Sequence, residues 1–495
     1  MTTLLIRGGT LLDPAGGVRR GDVRIEGRAI TEVRTGLAAS PRDEVIEASD
    51  HLVMPGLVNA HTHSGQHLDR GAARNLPLDL WLIWVVYGGV SFTPDDAYVL
   101  ALAGADEMLR TGCTSVLDHP WVAPGAFEQH AEAVMQAYFD AGIRAGVAPM
   151  IQDRDIFESF SYEGLDVDPP EPLGPPLDPT ELIGHMRRFF DRWQGTSTRV
   201  FPMIGPSAPQ RCSNELMVLL AALASERGAL FHTHVLETKS QIVATRRRYR
   251  GSVVSFLEEI GLLNSRCSLA HCVWMDPTEY AAVRDAGAVV VHNPVSNLRC
   301  GSGLLPLGDL LDAGMAIAVG ADGAASNDNQ NMFEALKFGT LIHTLYGDHR
   351  RWPRPIDVWR TSLRAGATAL GQRTGGIEPG AVADLVILDM ERHVVADDVS
   401  LVSSLVLAEH GESVRTVIVD GEVVVDERCP VRYDRADLGR RSRAIQRRIH
   451  DHLPSRQSVY DRYEGLLSLV HERDMADASP IRRLADISAA FGPHA

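Results

Sequence analysis

The sequence predicts an α/β fold in which a TIM-type (β/α)8 barrel is joined to a small β-sandwich domain built from both chain ends. Between residues 54 and 323, eight short apolar runs alternate with helical stretches, the pattern of parallel strands covered by helices on both faces. Eight βα units in series are typical of the barrel. Residues 1–54 and 378–432 are assigned to the sandwich, which leaves 55–377 for the barrel and 433–495 for a C-terminal helical extension.

The two chain ends share a strand-rich pattern. Short apolar runs in residues 4–33 are separated by Gly, Asp and Arg, as in small antiparallel strands. Runs of the same kind return at 383–389 and 414–425, and Asp420-Gly421 within the second run is typical of a hairpin turn. Both ends therefore fit one sheet domain.

Two segments fall outside these patterns. Residues 440–453 and 458–473 are charged and have helical spacing, which predicts two solvated helices packed on the outside of the barrel or on a neighbouring subunit. The acidic, Pro-rich stretch 158–179 has no clear period, which predicts a long loop over the barrel mouth or at a subunit contact. The expected assembly is a homo-oligomer, a dimer or higher.

The composition disfavours several classes of partner. The chain has 495 residues and a formal net charge of −16, whereas nucleic acid or an anionic membrane surface would require clustered Lys and Arg. A small neutral or cationic molecule is the better candidate. The six cysteines show no metal-site spacing and no regular disulfide framework, which predicts reduced thiols in a cytoplasmic protein. The most apolar stretch, residues 80–90, is too short to span a bilayer.

Polar side chains at the ends of the predicted barrel strands are the candidate site residues. In a TIM-type barrel the C-terminal ends of all strands converge on one face, so residues distant in sequence become neighbours. The eight predicted strand ends lie near His63, His119, Ile151, Ser207, His234, His271, Pro294 and Asp322.

Several of these residues have the spacing of a metal site. His61 and His63 are two apart, so in a strand they point to the same side; alone they could equally be two polar residues at a strand-loop junction. His232 and His234 in the fifth run are alternative ligands, and the carboxylate of Glu237 three residues on favours His234.

His271 and Asp322 complete the set, each following a run of small apolar residues. Polar groups at such positions are costly unless they are used. Three imidazoles, one carboxylate and a free position for water are expected of a catalytic zinc site. Glu237, not itself a ligand, would then shuttle protons between the water and the substrate.

Longer motifs extend this pattern. They are Pro55-Gly-Leu-Val-Asn-Ala-His-Thr-His63, His234-Val-Leu-Glu237, Leu269-Ala-His-Cys272, His292-Asn-Pro-Val-Ser-Asn297 and Gly320-Ala-Asp-Gly-Ala-Ala-Ser-Asn-Asp328. In these motifs the chain resembles the amidohydrolase superfamily, in the branch that contains triazine hydrolases and nucleobase or nucleoside deaminases, and the resemblance extends from about residue 3 to residue 430. The resemblance implies a barrel with a β-sandwich made from both chain ends.

The resemblance also implies a role for each motif residue. His61, His63, His234 and Asp322 would bind a single Zn²⁺, with Fe²⁺ as the alternative. Glu237 would protonate the leaving-group side of the substrate. His271 would orient or polarise the water, and Asp322 would take its proton as hydroxide attacks an electrophilic carbon. The fourth strand, residues 200–207, ends without a lysine, so the carboxylated-lysine bridge of two-metal relatives is absent and one metal is expected.

The substrate-binding candidates are less specific. Gln66 belongs to the region that lines the pocket in the family, and Asn297 ends one of the motifs. Trp81 or Trp84 would stack on a planar ring or serve only as packed aromatics. The remaining candidates, which would contact substrate or be satisfied buried polar groups, are His119, Gln152 and Ser207.

Ser207 is a departure from the family pattern, because many deaminases of the branch carry a histidine in this Gly-Pro-x-Ala-Pro stretch. The departure counts against a typical adenosine-type deaminase. The leading hypothesis is hydrolytic deamination of an aminated nitrogen heterocycle of purine, pyrimidine, pterin or triazine type, with release of ammonia. The alternative is removal of chloride or an alkylamine from a triazine or urea-like compound. A non-enzymatic scaffold would require a damaged site, and the motifs are intact.

Overall fold

The computed structural model describes residues 3–249, 252–345, 347–372, 374–391, 393, 398–477 and 481. Its strands, in chain order, are β1 (Thr3–Leu12), β2 (Val18–Glu26), β3 (Ala29–Arg34), β4 (Asp43–Glu47), β5 (His51–Pro55), β6 (Leu57–Thr62), β7 (Cys113–Asp118), β8 (Arg144–Val147), β9 (Met150–Ile151), β10 (Val200–Pro202), β11 (Gly205–Pro206), β12 (Phe231–Val235), β13 (Cys267–His271), β14 (Val289–His292), β15 (Ala316–Val319), β16 (Leu385–Asp389), β17 (Val414–Val419), β18 (Glu422–Asp426) and β19 (Cys429–Pro430).

The α-helices are α1 (Leu78–Leu82), α2 (Pro94–Arg110), α3 (Phe127–Ala141), α4 (Pro179–Trp193), α5 (Asn214–Arg227), α6 (Lys239–Arg248), α7 (Val253–Glu259), α8 (Tyr280–Asp285), α9 (Pro294–Arg299), α10 (Leu307–Asp312), α11 (Met332–Leu341), α12 (Pro355–Ala369), α13 (Asp398–Ala408) and α14 (Arg435–Ala476). A π-helical turn, Ile83–Tyr87, continues α1. No described helix combines the length and apolar composition needed to cross a membrane.

Eight parallel strands form two four-stranded sheets, in the orders β10-β8-β7-β6 and β12-β13-β14-β15. At one side a parallel bridge joins Ile204, just after β10, to Phe231 at the start of β12. At the other side the N–H of Asp322, after β15, donates to the carbonyl oxygen of His61 in β6 at 2.8 Å. Helices follow most of the strands, as the alternating pattern predicts, and the C-terminal ends of the strands share one face.

Two predicted strands are each split in two and a third ends early, and a proline lies at each of these points, although the third strand still ends at Ile151 as predicted. The third strand is split into β8 and β9 around Pro149, and the fourth is split into β10 and β11 after Pro202. The seventh strand ends at His292, because Pro294 begins α9 instead. Proline has no N–H to give to a sheet and is well accommodated in the first turn of a helix.

The two chain ends meet in one nine-stranded sheet of order β19-β18-β17-β16-β5-β1-β2-β3, with β4 paired to β1. The β17–β18 hairpin turns at Asp420 and Gly421, with φ of 54° and 79°, as a tight hairpin turn requires. The prediction of a sheet from both chain ends is confirmed. The division into a sandwich (1–54 with 378–432), a barrel and an extension stays a prediction.

The C-terminal extension forms a single helix, α14, where two helices were expected. Its 42 residues include Pro454 within the helix. Proline removes one backbone hydrogen bond, but packing on both sides of it keeps the segments in line: Ile449 precedes it, and Arg456, Tyr460 and Leu467 follow it as buried residues. Predicted helical residues beyond 477 lie outside the described residues, apart from Ile481.

The predicted loop at 158–179 begins within a short 3₁₀ turn, Ile156–Ser159. No other regular element follows before α4 begins at Pro179. Its first part packs against α14, because Nη2 of Arg473 donates to the carbonyl oxygen of Ser161 at 2.6 Å. The rings of Phe157 and Tyr463 also lie 4.9 Å apart. This contact joins the loop to the C-terminal helix of the same chain.

Candidate metal centre and active-site cavity

The predicted metal-binding side chains converge at the C-terminal ends of β6, β12, β13 and β15. Nε2 of His63 lies 3.2 Å from Nε2 of His234 and 3.3 Å from Oδ1 of Asp322. Nε2 of His61 lies 3.4 Å from the same carboxylate oxygen. One potential ligand atom from each of His61, His63 and His234 lies within 4.8 Å of the others, and the same holds for His61, His271 and Asp322. The structure therefore brings together residues that are up to 261 positions apart, from 61 to 322.

Backbone carbonyl groups orient two of these imidazoles. Nδ1 of His63 donates to the carbonyl oxygen of His119 at 2.6 Å, and Nδ1 of His234 donates to that of Ser207 at 2.5 Å. An imidazole with a protonated Nδ1 keeps its lone pair on Nε2. Hydrogen bonds of this kind are how proteins fix the tautomer of a metal-binding histidine, so both Nε2 atoms are prepared to bind a cation.

His232 holds the ring of His61 in position by a hydrogen bond between the two imidazoles. Its Nε2 lies 2.8 Å from Nδ1 of His61, and its Nδ1 lies 2.7 Å from Oγ of Ser268. Residues two apart in a strand share a face, so His232 occupies the same face of β12 as His234, one step back from the strand end. His234 is in the cluster of potential ligands and His232 lies behind it, which favours His234 over His232 as the ligand.

The donor atoms fit a divalent metal ion. Nε2 of His61 is buried and has no hydrogen-bond partner among the described residues, an arrangement that is costly unless something binds the atom. Burial lowers the pKa of His61 to about 4 and holds the pKa of His234 well below the ordinary value. Neutral imidazoles are the form that binds metal.

Asp322 supplies the negative charge of the centre. Burial alone would raise the pKa of Asp322, but the adjoining imidazoles, first of all His61 and then His63 and His271, hold that pKa well below the ordinary value. Three neutral imidazole nitrogens and one carboxylate oxygen, with room for water, form the open set expected of a catalytic zinc site. The described residues therefore fit one such ion.

The turns after β13 and β15 require unusual backbone geometry. His271 and Asp322 have φ of 74° and 63°, left-handed values that cost energy for residues other than glycine and are found at functional sites. Gly320 allows the close approach, because a Cβ there would lie 2.9 Å from Cβ of His61. Gly320, two residues before Asp322 in this motif, thus has a steric role.

Glu237 and His271 lie beside the potential ligands. Nε2 of His271 is 3.7 Å from Oε2 of Glu237 and 3.8 Å from Oδ2 of Asp322. Its Nδ1 is 2.9 Å from Oδ1 of Asn297, which fixes the ring. Burial raises the pKa of Glu237, so this carboxyl retains a proton to higher pH than an exposed glutamate. Ser302 donates to its Oε1 at 3.1 Å.

A cavity of about 330 Å³ opens onto this centre. Its floor is made of side chains from the centre, including His63, Glu237 and Asp322. Its walls are largely apolar and aromatic, which suits a planar ring; they include Leu78, Trp81, Leu82, Val85, Phe92, Trp121 and Met150. The polar wall residues include Gln66, Asp69, Tyr87, Gln152, Ser207, Arg211 and Gln241.

Four of the predicted substrate-binding residues line the cavity: Gln66, Trp81, Gln152 and Ser207. Nε1 of Trp81 donates to the carbonyl oxygen of Ala325 at 3.3 Å, and Gln152 bonds the hydroxyl of Tyr87 at 3.3 Å. Their side chains are thus held in place at the cavity surface.

Three other candidates lie outside the lining. Trp84 packs its ring 5.7 Å from that of Tyr460 in α14 and donates to the carbonyl oxygen of Ala72, so it is a packed aromatic. His119 donates from Nδ1 to the carbonyl oxygen of Ala148 at 2.6 Å, while Asn297 supports His271. Each of these side chains has at least one protein contact, although Nε2 of His119 and Nδ2 of Asn297 are buried without a hydrogen-bond partner among the described residues.

The sequence interpretation missed several polar lining residues, among them Tyr87, Arg211 and Gln241. All three lie in helical segments, Ile83–Tyr87, Pro209–Arg211 and Lys239–Arg248, so none occupies a strand end. The charged Arg211 directly after Gly205-Pro-Ser-Ala-Pro-Gln210 was the available signal, because charged residues are rarely buried near a barrel mouth without a partner.

Comparison with known proteins places this site in a family. The family model described as "Amidohydrolase family" matches residues 52–424. A 5'-deoxyadenosine deaminase from Methanothermobacter thermautotrophicus is 34% identical over 86% of this chain and 93% of its own length. A 5-methylthioadenosine/S-adenosylhomocysteine deaminase from Thermococcus kodakarensis is also 34% identical, over 86% of this chain and 94% of its own.

Solved structures of related enzymes have a similar fold. An adenosine deaminase from Xanthomonas campestris with bound zinc has a TM-score of 0.79 and 25% identity, and covers 91% of this chain and 99% of its own. An atrazine chlorohydrolase from Arthrobacter aurescens TC1 complexed with zinc has a TM-score of 0.80 and 26% identity, over 90% and 100%. The chain therefore belongs to the amidohydrolase family, which confirms the resemblance seen in its motifs and its prediction as a metal-dependent hydrolase.

Proposed function

We propose that this protein hydrolyses an aminated nitrogen heterocycle and releases ammonia. The observation that carries the proposal is the position of Glu237, a buried carboxyl 3.7 Å from His271, beside the His/Asp cluster and at the floor of the cavity. Such a carboxyl can deliver a proton to a departing nitrogen. The deaminase relatives at 34% identity support the same reaction.

The proposed metal is one Zn²⁺ per chain, with Fe²⁺ as the alternative, held by His61, His63, His234 and Asp322. The converging donors and the unpartnered Nε2 of His61 support this set. When bound, the ion supplies Lewis acidity that makes water a nucleophile near neutral pH. The zinc in two similar solved structures supports the choice of metal.

The side chains divide the proton transfers among them. His271, held by Asn297, orients the attacking water through its Nε2. The Asp322 carboxylate, 3.8 Å from that nitrogen, accepts a proton as the ring carbon is attacked. Glu237 carries a proton to the amino group, which then leaves as neutral ammonia. Its burial suits the role, because burial raises the pKa of this carboxyl and so favours its protonated form.

The cavity walls support a planar substrate. Trp81 is placed to pack against a ring, and Gln66, Gln152 and Ser207 offer hydrogen bonds around it. Purine, pyrimidine, pterin and triazine rings all remain candidates, and the relatives named for adenosine derivatives favour a purine nucleoside. Ser207 keeps its side chain at the cavity, where it replaces the histidine of many deaminases of the branch.

A second candidate is removal of chloride or an alkylamine from a triazine. The likeness to an atrazine chlorohydrolase favours it, at 26% identity. The greater identity to the deaminases, 34%, favours ammonia as the product. A scaffold role is disfavoured by the complete set of site residues.

Closure of the barrel, the domain boundaries, the location and the assembly are also proposals or predictions. We propose that the two four-stranded sheets close into a TIM-type barrel, supported by the links between Ile204 and Phe231 and between His61 and Asp322. The sandwich boundaries, a cytoplasmic location and a homo-oligomeric state remain predictions.

The test is ammonia release from the metal-loaded protein with a panel of purines, purine nucleosides, pyrimidines, pterins and triazines. We expect ammonia from at least one compound, and release of only chloride or alkylamine would contradict deamination.

Glu237→Gln should abolish turnover and leave the metal bound. The control is Glu226→Gln, which changes an exposed glutamate paired with Arg187 and should retain activity. Loss of metal in Glu237→Gln would contradict the role of Glu237.

A further inference from the structure

We propose that the guanidinium of Arg211 binds an anionic oxygen of the substrate, so that the preferred heterocycle carries a carboxylate or similar oxyanion in addition to its amino group. The inference rests on the proposed function and names a substrate class for the same cavity. It starts from a charged residue that the reaction described above does not use.

Arg211 is positioned at the cavity by a short turn. It ends the 3₁₀ turn Pro209–Arg211, which follows β11. Its Nη1 lies 3.4 Å from Oγ of Ser207, and both side chains line the cavity together with Glu237. The guanidinium thus faces the space where the substrate would lie.

The charge of Arg211 has no ion-pair partner among the described residues. Its Nε is buried and lacks a hydrogen-bond partner there. The other charged residue of the cavity wall away from the centre, Asp69, is paired with Arg456 at 3.0 Å. The nearby Arg154 pairs with Glu158 at 3.4 Å. A partly buried charge without a partner is costly, so proteins pair such charges or use them.

Three ionisable groups lie close enough to Arg211 for its charge to affect their pKa, but none of them forms an ion pair with it. Burial raises the pKa of Asp79, Tyr87 and Glu237, and the charge of Arg211 opposes that rise in each. Asp79 is bonded to Ser240 and Tyr87 to Gln152. Among the described residues, the cavity therefore contains a cation near Glu237 and no carboxylate within ion-pair distance of that cation.

Geometry favours an oxyanion as the missing partner. A guanidinium presents parallel N–H groups that match the two oxygens of a carboxylate. The aromatic walls hold the ring, and Arg211 would hold the substituent. The sequence analysis favoured neutral or cationic partners from the net charge of −16, but net charge describes the whole surface, whereas the groups facing a cavity decide its ligand.

Matched substrate pairs test the inference. The pairs are adenosine and its 5'-carboxylic acid, cytosine and 5-carboxycytosine, and pterin and pterin-6-carboxylate. Ammonia release is followed with the metal-loaded wild type, Arg211→Met, and Arg154→Met as a control that removes a positive charge outside the cavity lining. Metal content and thermal unfolding are measured for each variant to show that folding and metal binding are retained.

We expect the wild type to favour the carboxylate of the productive pair by about 10- to 100-fold in kcat/KM, the size of one charge-assisted hydrogen bond. Arg211→Met should lose this preference and keep its activity on the neutral member, and Arg154→Met should resemble the wild type. Equal kcat/KM for both members in the wild type would overturn the inference. So would an equal fall for both members in Arg211→Met, because Arg211 would then act through Glu237.

A binding measurement separates this inference from the proposed function. If no pair releases ammonia although metal is bound, deamination of these rings fails. Calorimetric binding of each pair to metal-loaded Glu237→Gln, with and without Arg211→Met, then decides about Arg211 alone. Tighter binding of the carboxylate that disappears in the double variant supports the inference, and identical affinities contradict it.

Discussion

In the metal centre, ring nitrogens are fixed by carbonyl oxygens and side chains at the ends of neighbouring strands, whereas the outer wall of the cavity is fixed by side chains far apart in the chain. Nδ1 of His63 bonds the next strand, through the carbonyl oxygen of His119. In the wall, both Nη atoms of Arg456 bond Oδ1 of Asp69 at 3.0 Å, across 387 residues.

The wall depends on α14. Arg456 is completely buried, and Tyr460 and Tyr463 pack against Trp84 and Phe157. The family match ends at residue 424, before α14 begins. The proposed catalytic residues thus lie in the part of the chain shared with the family, and a segment beyond it supports the wall. Mutations in the wall should therefore change substrate binding without loss of metal, whereas mutations of the metal-binding residues in the centre should remove the metal and abolish turnover.

The largest effect is expected at the centre. His234→Ala removes one of three imidazoles, so the chain should lose its metal and its turnover should fall by about 10³-fold or more. Metal analysis and ammonia release check this, with circular dichroism to show that the fold persists. A variant with full metal content and activity would break the assignment of His234.

The next effect is expected in the wall. Arg456→Met leaves Asp69 buried without a partner, which should lower the free energy of unfolding by about 3–5 kcal/mol and raise KM while metal stays bound. Chemical denaturation and steady-state kinetics measure both quantities. Asp69→Asn with Arg456→Met should recover part of the stability, and the exposed Arg443→Met in the same helix is the control. Metal loss in Arg456→Met would show that wall and centre are not separable.

A smaller effect is expected behind the centre. His232→Gln disturbs the contact with Nδ1 of His61 without removing a ligand, and it should weaken metal binding by about 10- to 100-fold. Competition with a chelator measures the affinity. Complete loss of metal, as in His234→Ala, would mean that His232 is itself a ligand.

The smallest effect distinguishes two neighbouring tryptophans. Trp81 lines the cavity and Trp84 faces α14, so Trp81→Leu should raise KM by about 3- to 10-fold, as expected for one lost aromatic contact. Trp84→Leu should lower thermal stability with little change in KM. The opposite result would show that Trp84, and not Trp81, contacts the substrate.

The sequence could predict the centre because its residues are defined locally. His61, His234 and Asp322 each follow a short apolar run, and parallel strands bring such ends together whatever the loops do. The wall could not be predicted in this way, since the partner of Asp69 lies in a helix whose packing depends on the whole fold. Arg211 escaped notice because it follows a strand end by a turn, and only the structure shows that its charge is unpaired.

The metal content of the purified, fully loaded protein tests the central claim most directly. Measured by mass spectrometry alongside His234→Ala and His232→Gln, the wild type should hold one Zn²⁺ or Fe²⁺ per chain, His234→Ala none, and His232→Gln one at saturating metal. Two ions per chain in the wild type, or none even after metal is added, would contradict a single catalytic metal bound by His61, His63, His234 and Asp322.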